Sequence, residues 1–78
     1  MKIIFTKHAL ARMSERKITE NEARNVIKKP LKISQDKNRF LAFKLRANKQ
    51  LLLVHYVLEN DKIIVVTVIS TSNISKYI

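Results

Sequence analysis

The sequence predicts an α+β sandwich, an N-terminal helical hairpin packed on one face of a twisted, mainly antiparallel sheet of about four strands. Three observations point there. Apolar stripes at helical spacing occupy the first third of the chain, the apolar period changes from 3.6 to 2 after Pro30, and short polar turns divide the remaining residues into strand-length segments. With 78 residues the chain is one domain, residues 1–78, with room for a modest core and none for a separate regulatory domain.

Thr6 is placed to cap a first helix through its hydroxyl, with the helix running from Lys7 to about Arg16 and Ala9, Leu10 and Met13 turned inward. A capping box, Thr19-Glu20-Asn21-Glu22, opens a second helix. It carries an Ala23, Val26, Ile27 stripe and ends near Lys29, because Pro30 disfavours helical geometry in the residue before it. Strands are then expected at Leu31 to Ser34, Arg39 to Arg46, Leu51 to Leu58 and Lys62 to Thr71, the last two central because they are apolar on both faces. In the second of these, Leu41, Phe43 and Leu45 alternate with Phe40, Ala42, Lys44 and Arg46, so one face is apolar and the other turns basic. Lys2 to Phe5 can add an edge strand, short turns make a meander the default connection, and Ser72 to Ile78 reads as a polar tail with an apolar end.

Sixteen Lys and Arg against six Asp and Glu give a formal charge of +10. The excess is uneven. Residues 1–19 hold five cations against Glu15, and residues 37–58 hold Lys37, Arg39, Lys44, Arg46 and Lys49 with no acid. Such a surface favours polyanions, since each neutralised phosphate releases condensed counterions. The absence of cysteine excludes disulfides, thiolate metal sites and a cysteine nucleophile, and the absence of glycine excludes a Gly-rich phosphate loop or dinucleotide fingerprint. The six acids fall at turns and helix starts, which argues against a two-metal nuclease centre, so neither a metal nor a cofactor is expected. No Gly-x-Ser-x-Gly turn supports a serine hydrolase. The opening apolar run, Ile3-Ile4-Phe5, is too short for a signal peptide or a membrane span, and the chain reads as cytoplasmic with no membrane partner.

Metal-free RNA cleavage fits what remains. RNA supplies its own 2′-hydroxyl nucleophile, so the protein needs only to align the strand, move protons and stabilise charge on phosphate oxygens. His8, Arg12 and Arg16 recur at intervals of four and project from one helix face, with His8 at the positive end of the helix dipole, suited to accepting a proton. His55 lies mid-strand, and Lys44 and Arg46 share a strand face where an anion would offset their desolvation. Against these stand blander readings: a solvated cationic helix face and a core histidine.

The run from His8 through Arg12-Met13 and Arg16 to Ile18, with Glu22 and Pro30 beyond it, resembles the pattern H-A-x-x-R-M-x-x-R-x-I of small microbial domains. Those domains are similar to the RelE/ParE superfamily of toxins, including its BrnT branch. The resemblance implies a RelE-like fold and an RNase-like toxin, often acting on messenger RNA, with an antitoxin that blocks the basic face. His8, Arg12 and Arg16 match the motif itself. Lys17 departs from it, standing where relatives commonly have glycine at the helix end.

The expected function is therefore a toxin-like, metal-independent endoribonuclease or RNA-binding relative, acting on free RNA or on the ribosome. Its catalytic candidates are His8, Arg12, Arg16 and His55, and its nucleic-acid contacts Lys7, Lys44, Arg46 and Lys49. The alternative is a non-catalytic basic module for an acidic protein partner or nucleic acid, and a homodimer through a sheet edge or the tail is a further expectation. Cleavage by this whole set requires the helix cations and the strand cations to converge on one hollow.

Overall fold

The computed structural model describes residues 1–77, so Ile78, the end of the expected apolar tail, lies outside the described residues. The elements are β1 (Lys2–Phe5), α1 (Lys7–Glu15), α2 (Glu20–Lys28), β2 (Lys32–Asp36), β3 (Arg39–Leu45), β4 (Leu51–Glu59) and β5 (Lys62–Thr71), with a 3-10 turn (Ile74–Lys76) after them. They form one five-stranded mixed sheet in the order β1-β5-β4-β3-β2.

This corrects the expected architecture. The helices do not form an N-terminal hairpin on a four-stranded antiparallel sheet; they are inserted after β1, which runs parallel to β5 with Ile3 opposite Ile63 and Phe5 opposite Val65. β5 is apolar on both faces and has β4 on one side only, so it needs a second neighbour, and the four residues of β1 supply it. A parallel pair requires a long crossover, which both helices together provide. The remaining strands do succeed one another as an antiparallel meander.

Local chemistry explains where each helix begins and ends. Thr6 Oγ1 accepts from the Ala9 amide at 3.1 Å and donates to the Val66 carbonyl at 3.2 Å, so one hydroxyl both caps α1 and fastens it to β5. At the other end the Ile18 amide donates to the Met13 carbonyl (2.8 Å) and the Lys17 amide to that of Ser14 (3.4 Å), with Ile18 and Met13 both buried. That is a Schellman ending, which places its turning residue in the left-handed region, and Lys17 sits there at φ 56°. A β-carbon in this region costs about 1 kcal/mol. Lys17→Gly is expected to raise stability by about 0.5–1 kcal/mol, part of the gain being offset by the greater freedom of glycine in the unfolded chain. An unchanged or lower urea midpoint would contradict strain at this position.

The Thr19 hydroxyl accepts from the Glu22 amide at 3.1 Å, which is half of the expected capping box. The Glu22 carboxylate turns instead to Arg46. α1 lies over β5 and α2 over β4 and β3, so each helix covers its own strands. Between the layers Ala9, Met13, Ile18, Ala23 and Val26 pack on Leu52, Val54, Tyr56, Val65 and Val68. Tyr56 stacks on Phe40 at 5.1 Å between ring centroids, and burial pushes its hydroxyl pKa above its ordinary value. On the opposite face, among the described residues, a smaller cluster of Phe43, Leu51 and Leu53 is covered by Leu41, Ile74 and Tyr77. Most of that face remains open.

Candidate functional site

Strand alternation decides which polar side chains share a face. On β4, Leu52, Val54 and Tyr56 enter the helix-covered core, so His55 points to the open face. On β3, Lys44 stands opposite Leu52 and therefore belongs with Arg46 on the helix side. The two groups of candidates do not converge. His8, Arg12 and Arg16 are exposed on and at the end of α1, over the face of β5 opposite to His55. Lys7 is exposed beside His8, and Lys49 is exposed at the β3–β4 turn with φ 66°. A cleavage centre built jointly from the α1 stripe and His55 is not formed.

Arg46 has a different task. Its Nε donates to Glu22 Oε2 at 2.8 Å and its Nη2 to Glu22 Oε1 at 3.2 Å, while Nη1 reaches Ser70 Oγ at 3.0 Å and Nη2 the Lys17 carbonyl at 3.4 Å. Ser70 Oγ donates onward to Gln50 Oε1. A fork held on all sides, with its side chain 13% exposed, fastens α2 and the α1–α2 loop to the sheet instead of waiting for a phosphate. Arg12 reaches Glu15 at 3.4 Å, an exposed contact worth little to stability. Lys44, half-buried, lines a small groove on the helix side together with Asn25, Val26 and Arg46.

Around His55 the open face does make a site. His55 stands between Leu41 on β3 and Thr67 on β5. The β4–β5 register shifts at His55/Tyr56, which leaves Val66 as an extra residue beside it. Such a bulge re-aims neighbouring side chains, and the Val66 carbonyl is the group that Thr6 holds. Two residues before Leu41 is Arg39, on the same face and diagonal to His55. Asn38 fixes this corner: its carbonyl accepts from the Leu58 amide at 3.0 Å and its side-chain amide donates to the Leu58 carbonyl at 3.3 Å. The two-residue turn Lys37-Asn38 is thereby tied to the end of β4, and Arg39 is held over the open face.

A cavity of about 340 Å³ results, with a floor of Leu41, Leu53 and Ile69, a wall at Tyr77, and Ser34, Asp36, Arg39, His55 and Thr67 at its polar positions. Tyr77 is set there by a tilted contact with Phe43, ring centroids 6.3 Å apart. This volume lies at the low end for small-molecule sites and suits one nucleoside-sized group. Among the described residues, no three His, Asp or Glu side chains gather as a metal site would need.

Of the candidates expected from sequence, only His55 lies in this cavity; Arg39, Thr67, Asp36, Ser34 and Tyr77 are not among them. Alternation places Arg39 with Leu41 and Phe43, a signal that the sequence does carry. That Leu41 faces His55 comes only from the β3–β4 register.

Residues 5–70 match the domain of unknown function DUF4258. The chain belongs to the DUF4258 family. The DUF4258 match runs from the end of β1 to Ser70 near the end of β5, and so includes Arg39, His55 and Thr67 but not Tyr77. No curated protein and no solved structure matches the chain. Among the described residues, no helix is long and apolar enough to cross a membrane.

Proposed function

We propose that this protein binds RNA across the open face of the sheet and cleaves it without a metal, as a toxin-like endoribonuclease of the cytoplasm. One observation carries the reading: His55 and Arg39 share an apolar-floored groove with two hydroxyls and an aromatic wall. A base enters against Leu41 and Tyr77, where stacking requires no particular sequence. Arg39 grips the phosphate oxygens with its planar, permanently charged fork. His55 takes the proton from the 2′-hydroxyl, because imidazole is the side chain suited to proton transfer near neutral pH. The 2′-oxygen then bonds to the adjacent phosphorus, the bond to the 5′-oxygen breaks, and water protonates the leaving oxygen, the hydroxide so formed taking back the proton held by His55. The products are a 2′,3′-cyclic phosphate and a free 5′-hydroxyl.

The α1 motif resembles that of small microbial domains similar to RelE/ParE toxins; it suggests the class of reaction and an acidic antitoxin as the restraining partner, but its residues His8, Arg12 and Arg16 lie away from the groove. Incubating the pure protein with RNA in chelator, with and without ribosomes, should release fragments with cyclic-phosphate ends. Intact RNA under every condition would remove the enzymatic reading. Within this reading Arg39→Ala should weaken RNA binding and lower the slope of log affinity against log salt by about 0.7–1, one phosphate contact. A slope equal to that of the unmodified chain would take Arg39 out of the interface.

A second reading, a non-catalytic basic module, is favoured by the exposed cations of the helical layer, namely Lys7, Arg16, Lys17, Lys28 and Lys29. It expects salt-sensitive binding that involves this layer and no cleavage.

A further inference from the structure

β2 ends the sheet on the side away from β1, and all five of its residues, Lys32-Ile33-Ser34-Gln35-Asp36, are exposed. Alternate backbone N–H and C=O groups of such a strand have no strand partner beyond it, and proteins ordinarily blunt an edge of this kind with like-charged side chains, a proline or a bulge. The two charges of β2, Lys32 and Asp36, are of opposite sign and so do not by themselves repel a second copy. β2 contains no proline, and its register with β3 runs without a shift. Its sequence instead complements itself.

Two antiparallel copies of one strand related by a two-fold axis must pair about a central residue, so that like faces adjoin. For β2 the centre is Ser34. Lys32 then stands opposite the partner's Asp36 at both ends of the seam, and Ile33 opposite the partner's Gln35. The two Ile33 side chains, 47% exposed in the single chain, become diagonal neighbours. In a chain of charge +10 this strand carries one cation and one anion and is neutral overall. The other edge has no such property: pairing β1 about Ile3 sets Lys2 against the partner's Ile4.

We propose that β2 is the docking surface for a second copy of this chain, joining two five-stranded sheets into one of ten strands. Lys32, Ser34 and Asp36 all lie on the open face, and the last two line the groove. The seam therefore makes the two grooves continuous. It also sets the partner's Lys32 on Asp36, offsetting that carboxylate in a groove that would receive phosphate. The pairing itself does not depend on the RNA reading; only this last consequence does.

Sedimentation equilibrium in about 0.15 M salt, without RNA, tests it. The unmodified chain should approach twice its 9.1 kDa mass as concentration rises. Asp36→Lys alone, or Lys32→Asp alone, sets like charges opposite each other at both ends and should raise the dissociation constant about tenfold or more. An equimolar mixture of the two variants should form the heterodimer, and the double exchange in one chain should restore the homodimer. Circular dichroism should be the same for every variant, since both side chains are exposed. A monomer at all concentrations up to about 1 mM, or a dimer indifferent to these exchanges, would overturn the proposal; loss of RNA cleavage would leave it standing.

Discussion

His55→Gln should lower the rate of RNA cleavage by about 10²–10⁴-fold while leaving RNA affinity nearly unchanged. Glutamine keeps much of the size and hydrogen-bonding capacity of histidine but cannot exchange a proton near neutral pH. The side chain lies between Leu41 and Thr67 on the open face and is half-buried, so the substitution leaves no large void and no charge without a partner. Single-turnover cleavage measured beside equilibrium binding separates the two effects. Full activity in His55→Gln would remove the proton-transfer role. Parallel loss of binding and cleavage, with an altered circular dichroism spectrum, would make His55 a structural residue. His8→Ala and Arg12→Ala should leave the rate within about threefold, because α1 lies behind the sheet from the groove.

The largest effect on stability should come from Arg46→Met, which removes a guanidinium that bonds Glu22 twice, Ser70 and the Lys17 carbonyl. Glu22, whose side chain is 32% exposed, then keeps its carboxylate in a partly desolvated place without the cation. The cost should be about 2–3 kcal/mol, or roughly 10 °C or more in melting temperature for a domain of this size. Breaking the exposed contact of Arg24 with Glu20, also an arginine–glutamate pair but 3.4 Å apart, should cost under about 0.5 kcal/mol. Glu22→Gln with Arg46→Met should recover part of the loss, since it removes the uncompensated charge. Below its melting transition Arg46→Met should keep the salt slope of RNA binding. A stable Arg46→Met protein with a reduced slope would make Arg46 a phosphate contact after all.

These contrasts also mark what the sequence made legible. The helix starts at Thr6 and Thr19 and the end before Pro30 rest on interactions within one turn, and they lie within a residue or two of where spacing puts them. Alternation likewise sets Leu41 and Phe43 on one face of β3 and Phe40 and Ala42 on the other, as they stand in the two clusters. Two further features are out of reach because they join distant parts of the chain. β1 lies some sixty residues from β5, and nothing within Lys2–Phe5 announces a parallel partner. Arg46 reads as a free cation because Glu22, on another element, is the group that holds it. The site divides for the same reason: charge runs show how much cation a segment carries, while the face each cation occupies depends on strand register. Lys17 is an intermediate case, since a departure from glycine is visible in the motif and the left-handed turn that it must adopt is not.

Titrating the ¹⁵N-labelled protein with a short, non-cleavable 2′-deoxy analogue of RNA distinguishes the two faces most directly. Amide shifts are expected at Arg39, Leu41, His55, Thr67 and Tyr77, with those of His8, Arg12 and Arg16 essentially unmoved. Shifts concentrated along α1 with the β4 amides silent would contradict a nucleic-acid site on the open face of the sheet.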